Sequence, residues 1–268
     1  GKGAGYSLTS GSDNVFIGHE AGDSHDAETN NIGIGRAALG GAVAGGEYNV
    51  AIGNYSLDAL TSGDFNTAVG YEAGTEITTG SGNNIFGRGA ADSITTGSRN
   101  LMMGQNTGAN FDTENDNLAI GTEALNGTIA GGEQNVAVGN YTLDALTSAD
   151  ANTAVGYEAG SAVTTGGVNT FVGHRAGAGV TEGFSNVIIG ANAAHGNSVT
   201  LTTGDQNVLV GRNIQTTSAD SNLANGLGYF LSCEGGYTTV GESGSDIRAA
   251  HGTATWATVS DERFKKNI

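Results

Sequence analysis

The residue types that most often carry chemistry are few and scattered in this chain. Its five histidines show no metal-ligand spacing, so they are interpreted as exposed turn residues. The glycine cluster at 33–40 approaches a dinucleotide-binding fingerprint, but 47 of the 268 residues are glycine, so the match carries no weight. Cys233 is the only cysteine, which excludes an intrachain disulfide. We therefore expect no metal site, no cofactor and no enzyme that acts on an external substrate.

The chain is strongly acidic. It has 27 acidic and 10 basic residues, a formal net charge of −17, which would repel a phosphate backbone. We therefore expect no nucleic-acid binding. No run approaches about 18 apolar residues, so we expect no membrane insertion either. Glutamates recur six positions after a repeated asparagine, as at Glu20, Glu72, Glu123 and Glu158. This pattern is typical of a solvated stripe, with weak cation binding between chains as the alternative.

A repeat of about 17 residues organises most of the chain. The pattern Asn-x-x-apolar-Gly occurs twelve times, in steps of 17 or 18 residues until a last step of 21 residues. Asparagine tolerates left-handed turns, and stacked copies can form a ladder along an axis, so a structural role is predicted for all twelve. They are Asn14, Asn31, Asn49, Asn66, Asn83, Asn100, Asn117, Asn135, Asn152, Asn169, Asn186 and Asn207. Residues 45–74 recur at 131–160 with few changes, which indicates internal duplication.

The positions within one repeat predict distinct structural roles. The third residue after the asparagine is large, apolar and mostly β-branched, which is typical of a buried strand position. The seventh is small, which predicts a second strand packed closely against the first. Glycine at the fourth position predicts a tight corner. By alternation, the second residue is expected to point outward as an apolar row that contacts other chains. This row contains Phe16, Ala51, Ala68, Ile85, Met102, Phe171, Ile188 and Leu209.

These patterns predict an all-β protein whose repeats form a parallel β-solenoid with coils of about 17 residues, assembled as an elongated homotrimer. The solenoid is expected over residues 1–211. Residues 212–259 are expected to form a glycine-rich trimeric β cap or connector, in which Asn222–Gly226 is a degenerate last copy of the repeat. No 3.6-residue period persists, so helix is not expected.

The repeat resembles the head domains of trimeric autotransporter adhesins of the YadA-like type. The match rests on Asn49-Val-Ala-Ile-Gly53 and Asn66-Thr-Ala-Val-Gly70, each followed by a small residue, and it covers about residues 14–211. The resemblance implies a left-handed parallel β-roll that is trimeric, exposed on a cell surface and able to bind host molecules. The step of 17 residues is longer than the typical coil of that family, so larger loops are expected.

The last residues resemble a different family. The segment 254–268 is similar to the junction that opens the intramolecular chaperone of phage tailspikes, tail fibres and endosialidases. Its signature is filled in order by Ser260, Asp261, Arg263, Phe264, Lys265, Asn267 and Ile268. The resemblance implies that Ser260 is the nucleophile and Lys265 its base in a single self-cleavage, provided that the chaperone domain is present.

Taken together, the sequence favours a structural and adhesive segment of a tail fibre, in a phage or phage-like particle, that attaches to a host surface. The expected partners are two further copies of the chain, a host-surface glycan or protein, and other tail proteins. The expected location is the virion tail. One alternative is the head of a bacterial trimeric adhesin at the cell surface. Another is a tailspike that acts on polysaccharide.

Overall fold

A computed structural model describes residues 1–42, 44–128, 131–195, 198–252 and 257–258. The chain divides into two compact units, Gly1–Tyr141 and Thr142–Ile268. The described residues of both units form strands and turns without any helix, and so without a helix that could cross a membrane. The predicted all-β parallel solenoid with turns of about 17 residues is confirmed.

The first unit is a solenoid with one three-residue strand in each turn. Its strands are β1 (Val15–Ile17), β2 (Ile32–Ile34), β3 (Val50–Ile52), β4 (Thr67–Val69), β5 (Asn84–Phe86), β6 (Leu101–Met103), β7 (Leu118–Ile120) and β8 (Val136–Val138). Each strand pairs in parallel with the next, and Ile85 of β5 lies opposite Met102 of β6. The pairing register therefore equals one repeat of the sequence.

A glycine ends each strand because consecutive turns approach too closely there for a side chain. Gly87, after β5, has a φ of +143°. A Cβ added to it would lie 2.2 Å from the carbonyl oxygen of Gly104 in the next turn. Glycine alone satisfies both the backbone conformation and the short distance. The sequence-based prediction of a tight corner at this position is confirmed.

The other corners of a turn use left-handed backbone at residues that are often not glycine. Phe65, the residue before Asn66, has a φ of +58°, and Glu72, six residues after Asn66, has a φ of +54°. Equivalent positions of the other turns are also left-handed. The left-handed residue is therefore the neighbour of the repeated asparagine rather than the asparagine itself. Such corners bend the chain sharply enough to close a turn within 17 residues.

The second residue after each asparagine lies on the inward side of the first unit, together with large apolar side chains from the turns, which corrects the predicted orientation of the strands. Ile85 and Met102, at the second position after their asparagines, are fully buried. Ile17 and Ile52, at the third position after theirs, are 57% and 38% exposed. Side chains alternate along a strand. Because the asparagine points inward, the second residue points inward as well, and the first and third point outward. The proposed outward row thus lies in the core.

The small residues at the seventh position pack in the core, but they do not form a second strand. Ala21, Ala73 and Thr107 are fully buried, and they lie in turns. The predicted second strand per coil is therefore wrong. The left-handed residues on either side of this position interrupt the extended backbone that a strand would need.

The second unit begins with the same architecture and ends differently. Its strands are β9 (Thr153–Val155), β10 (Thr170–Val172), β11 (Val187–Ile189), β12 (Val208–Val210), β13 (Gln215–Thr216), β14 (Asn225–Tyr229), β15 (Ser232–Cys233), β16 (Tyr237–Glu242), β17 (Ile247–Ala250) and β18 (Ala257–Thr258). Parallel pairing runs from β9 to β12 and continues through β14 to β16. Strands β17 and β18 then add in antiparallel fashion, and β13 pairs with β15 in a separate small sheet.

The last repeat is offset from its predicted position. Val208 pairs with Asn225, so the residue that aligns with the repeated asparagine is Ala224. The predicted start of this copy, Asn222, instead accepts a hydrogen bond from the backbone N–H of Asp205 through Oδ1. The short apolar strand, rather than the nearest asparagine in the sequence, sets the register.

Candidate interaction surface

The repeated asparagines connect successive turns through their side-chain amides. The backbone N–H of Asn66 donates to Oδ1 of Asn49 at 2.9 Å, and its Nδ2 donates to the same oxygen at 3.2 Å. The same Nδ2 donates to the carbonyl oxygen of Gly80 at 2.8 Å. Each amide therefore bonds to the turn before it and to the turn after it.

All twelve positions carry this arrangement or part of it. Asn14 lies half-buried in the first turn, and the others are buried. In the second unit Nδ2 of Asn152 donates to Gly166 and Nδ2 of Asn207 donates to Ser221, each to the carbonyl oxygen. A buried amide must be hydrogen-bonded, and these partners lie within the chain. The asparagines are thus placed to hold turns together rather than to contact a ligand.

The outward face of the sheet in the first unit is almost entirely apolar. It consists of the first and third residues of each strand, and only Thr67 and Asn84 interrupt the aliphatic and aromatic side chains. Ile17, Ile52 and Met103 are among its more exposed members. We call this surface the outward sheet face.

The outward sheet face of the first unit is also uncharged. None of the outward residues of β1–β8 is acidic or basic, although the whole chain carries a net charge of −17. At about 4.8 Å per strand, eight strands of about 10 Å width cover about 400 Å². This area falls within the range of about 300–600 Å² of the largest, often functional, apolar patches on single proteins.

The second unit presents the same face over its parallel strands. Val155, Val172 and Ile189 are each more than a third exposed, and Leu227 of β14 continues the series at 55% exposure. Thr153, Thr170 and Asn225 bring polar groups to the first outward position of β9, β10 and β14. The face of this unit is therefore less uniformly apolar than that of the first unit.

Acidic side chains cluster at one corner of the first unit. A cavity of about 260 Å³ is lined by Glu72, Glu76 and Asp92, together with a threonine and a serine. Burial, and next the nearby carboxylate of Glu76, raise the pKa of Asp58 to about 6. Within the described parts of the chain, no three histidine, cysteine, aspartate or glutamate side chains are arranged to hold a metal ion.

The histidines do not all lie where the sequence analysis expected them. His19, His174 and His251 are exposed, as expected for turn residues. His25, in contrast, is fully buried and packs edge-to-face against the ring of Phe16 at a centroid distance of 4.8 Å. Burial lowers the pKa of His25 below its ordinary value. The repeat carried a signal for this burial that the sequence analysis missed, because His25 is the eleventh residue after its asparagine, where later repeats have the buried Leu60 and Ile77.

A polar cavity in the second unit was not anticipated from single residues. Its volume is about 340 Å³, and its lining includes Arg175, Asn192, His195, Asn213 and Phe230. The longer step of 21 residues between the last two asparagines was the one sequence signal, because the residues that this step adds directly follow His195.

The predicted self-cleavage pair could not be placed. Ser260 and Lys265 lie outside the residues that the structure describes. No family model matches the chain, and neither a curated protein nor a solved structure matches it.

Proposed function

We propose that this chain is a structural and adhesive segment of a homotrimeric fibre, in the tail of a phage or phage-like particle. The observation that carries the proposal is the outward sheet face, which in the first unit leaves an almost entirely apolar and uncharged stripe in contact with water. Exposed apolar surface of this size is stabilised when another protein surface covers it. Two further copies of the same chain are the partners that the repeat provides, since each copy carries the same stripe at the same spacing.

The two resemblances support the proposed setting. The asparagine repeat resembles trimeric adhesin heads, and the segment 260–268 resembles the junction of chaperone-matured phage fibres. By that resemblance, a C-terminal chaperone would assemble the trimer and be released by one cleavage at Ser260, with Lys265 as base. The rigid repeats would hold host-contacting surfaces away from the particle.

The molar mass of the purified chain in solution tests the proposal. Size-exclusion chromatography with light scattering should give a mass near three times the 26.7 kDa of one chain. A folded monomer, recognised by its β-rich circular dichroism spectrum, would contradict the trimer. This measurement uses the chain as it stands and requires no ligand.

A charged pair of substitutions locates the contact. The variant Ile34→Lys with Ile52→Lys places two cations on the outward sheet face and should convert trimer to monomer, because two buried unpaired charges are costly at an interface. The matched control is Thr79→Lys with Thr96→Lys, which adds the same charge at two exposed loop positions in neighbouring turns. If the isoleucine double variant remained a trimer and the threonine control did not, the contact between chains would not lie on the outward sheet face.

A further inference from the structure

The cavity in the second unit is built by residues that occupy equivalent corners of successive turns. Arg175, Asn192, Asn213 and Phe230 all have left-handed backbone, with φ between +51° and +55°. The first three are the sixth residue after a repeated asparagine, and Phe230 is the sixth after Ala224. In the first unit several of these corners carry glutamate or tyrosine instead. In the second unit these four successive corners carry a guanidinium group, two amides and a phenyl ring instead.

The polar groups of the cavity are held in place by their neighbours. Nδ2 of Asn192 donates to Oδ1 of Asn213 at 3.2 Å. On the opposite side, Nε2 of Gln215 donates to the hydroxyl oxygen of Ser232 at 3.0 Å, along the small sheet of β13 and β15. Each of these amides still has donor or acceptor capacity beyond the one bond. The cavity therefore presents fixed groups that both donate and accept.

Two buried polar atoms of the cavity lining make no hydrogen bond within the described parts of the chain, Nδ1 of His195 and Nε of Arg175, and the second of them is ion-paired with Glu158. Nδ1 of His195 is inaccessible to water and makes no hydrogen bond within the described parts of the chain. His195 directly precedes the residues added by the longer repeat step, and it lies in the lining with Arg175 and Asn192. A buried polar atom without a partner is costly, but a ligand in the cavity does not reach this one because it is closed to water, so the other groups of the lining carry the binding.

The charges around the cavity disfavour an anion as its occupant. Arg175 forms an ion pair with Glu158, at 3.0 Å between Nε and Oε2, so its charge is already compensated. Burial, and next the charge of Arg175, lower the pKa of His195 below its ordinary value, which favours the neutral ring. The chain as a whole is strongly acidic. A phosphate or carboxylate would therefore meet no free cation in the cavity.

An aromatic ring completes the lining. Phe230 is 40% exposed, and Tyr229 contacts it edge-to-face at a centroid distance of 4.7 Å. The apolar face of a sugar ring stacks on an aromatic ring, while its hydroxyl groups both donate and accept hydrogen bonds. The cavity volume also falls within the range of about 300–1,000 Å³ that is usual for small-ligand sites.

We propose that this cavity binds an uncharged saccharide unit, with Phe230 stacked on the sugar ring and the amides of Asn192, Asn213 and Gln215 bound to its hydroxyl groups. The inference deepens the proposed adhesive function, on which its biological meaning rests. Sugar binding by the cavity and trimer formation by the outward sheet face are nevertheless separate properties with separate measurements.

Saturation-transfer NMR on the whole chain tests the site. The probes are glucose, galactose, mannose and N-acetylglucosamine with their disaccharides, and, as an anionic group, glucuronate and N-acetylneuraminate. At least one uncharged probe should bind with a dissociation constant in the millimolar range or below. No signal from any uncharged probe at about 10 mM, or tighter binding of the anionic group, would overturn the proposal.

Two variants assign any binding to the cavity. Gln215→Glu removes a donor, and Phe230→Asn removes the ring while placing a residue that favours left-handed backbone. Each should weaken binding at least tenfold. The matched control is Phe65→Asn, which removes an equally left-handed aromatic residue, 62% exposed, in the first unit. Unchanged binding in both cavity variants would overturn the assignment. If the chain forms a trimer but binds no sugar, only the proposed saccharide site is contradicted. If the chain is a monomer that binds sugar, only the proposed trimer is contradicted.

Discussion

A turn in the middle of the first unit and the last repeat of the second unit share the fixed glycine of the repeat pattern but differ in its fixed asparagine. The middle turn has both Asn83 and Gly87, whereas the last repeat has Ala224 and Gly228. Gly228 has a φ of +148°, and a Cβ on it would lie 1.7 Å from the carbonyl oxygen of Gly241. The glycine is thus kept where the asparagine is lost.

The difference separates the two requirements of stacking. The glycine is needed wherever one strand follows another in parallel, because backbones meet there. The asparagine is needed where a turn must be bonded through its side chain on both sides. The backbone N–H of Ala224 still donates to Oδ1 of Asn207 at 2.8 Å, so the last amide of the ladder is satisfied without another asparagine.

Substitution of the glycine should have the largest effect. Gly87→Ala would force apart the backbones of adjacent turns, and we expect a loss of about 4 kcal/mol or more in the free energy of unfolding. Gly82→Ala is the matched control, since Gly82 has a φ of +69° and the nearest atom to its added Cβ is 3.8 Å away. That control bears only left-handed strain, about 1–2 kcal/mol. Urea denaturation followed by circular dichroism compares the two, and equal losses would show that close approach is not the cause.

Removal of one amide from the middle of the ladder should have the next largest effect. In Asn83→Ala the backbone N–H of Asn100 and the carbonyl oxygen of Gly97 lose their bonds to this side chain. Two buried groups without partners cost about 3 kcal/mol together. Asn84→Ala, at the exposed outward position beside it, should change the same unfolding free energy by about 0.5 kcal/mol or less. Equal losses in Asn83→Ala and Asn84→Ala would contradict a stabilising role for the hydrogen bonds of the asparagine ladder.

The repeat predicted the fold because its period is a direct consequence of stacking. The spacing of Asn49, Asn66 and Asn83 equals the pairing register, so the turn length and the parallel ladder followed from the sequence. The direction of each side chain did not follow. β-Branched residues are common on both faces of a sheet, and only the burial of the asparagine fixes which face is inward. Apart from the longer step between Asn186 and Asn207, the sequence carried no sign of the cavity around His195, since its lining joins residues from several turns.

Extension of the ladder by one asparagine should give the smallest effect. Ala224→Asn adds an amide whose Nδ2 can bond to Asn207, as at the earlier turns, and we expect a gain of about 1 kcal/mol or less in the free energy of unfolding of the chain. Ala224→Leu, of similar volume but without the amide, should destabilise the chain. If Ala224→Asn lowered the free energy of unfolding as much as Ala224→Leu, the last repeat would be unable to accommodate an asparagine at this position.

The constant register also has a consequence for how the fold grows. Most bonds between turns in the first unit join residues 16 to 18 apart, as between Thr67 and Asn83 or between Asn49 and Asn66. Closing a loop of that size costs about 2.5 kcal/mol by the logarithmic law, and the cost is the same for every added turn. After a first pair of turns has nucleated, the remaining turns can zip onto it one at a time. A longer chain would then take more steps to fold, but none of its steps would be slower.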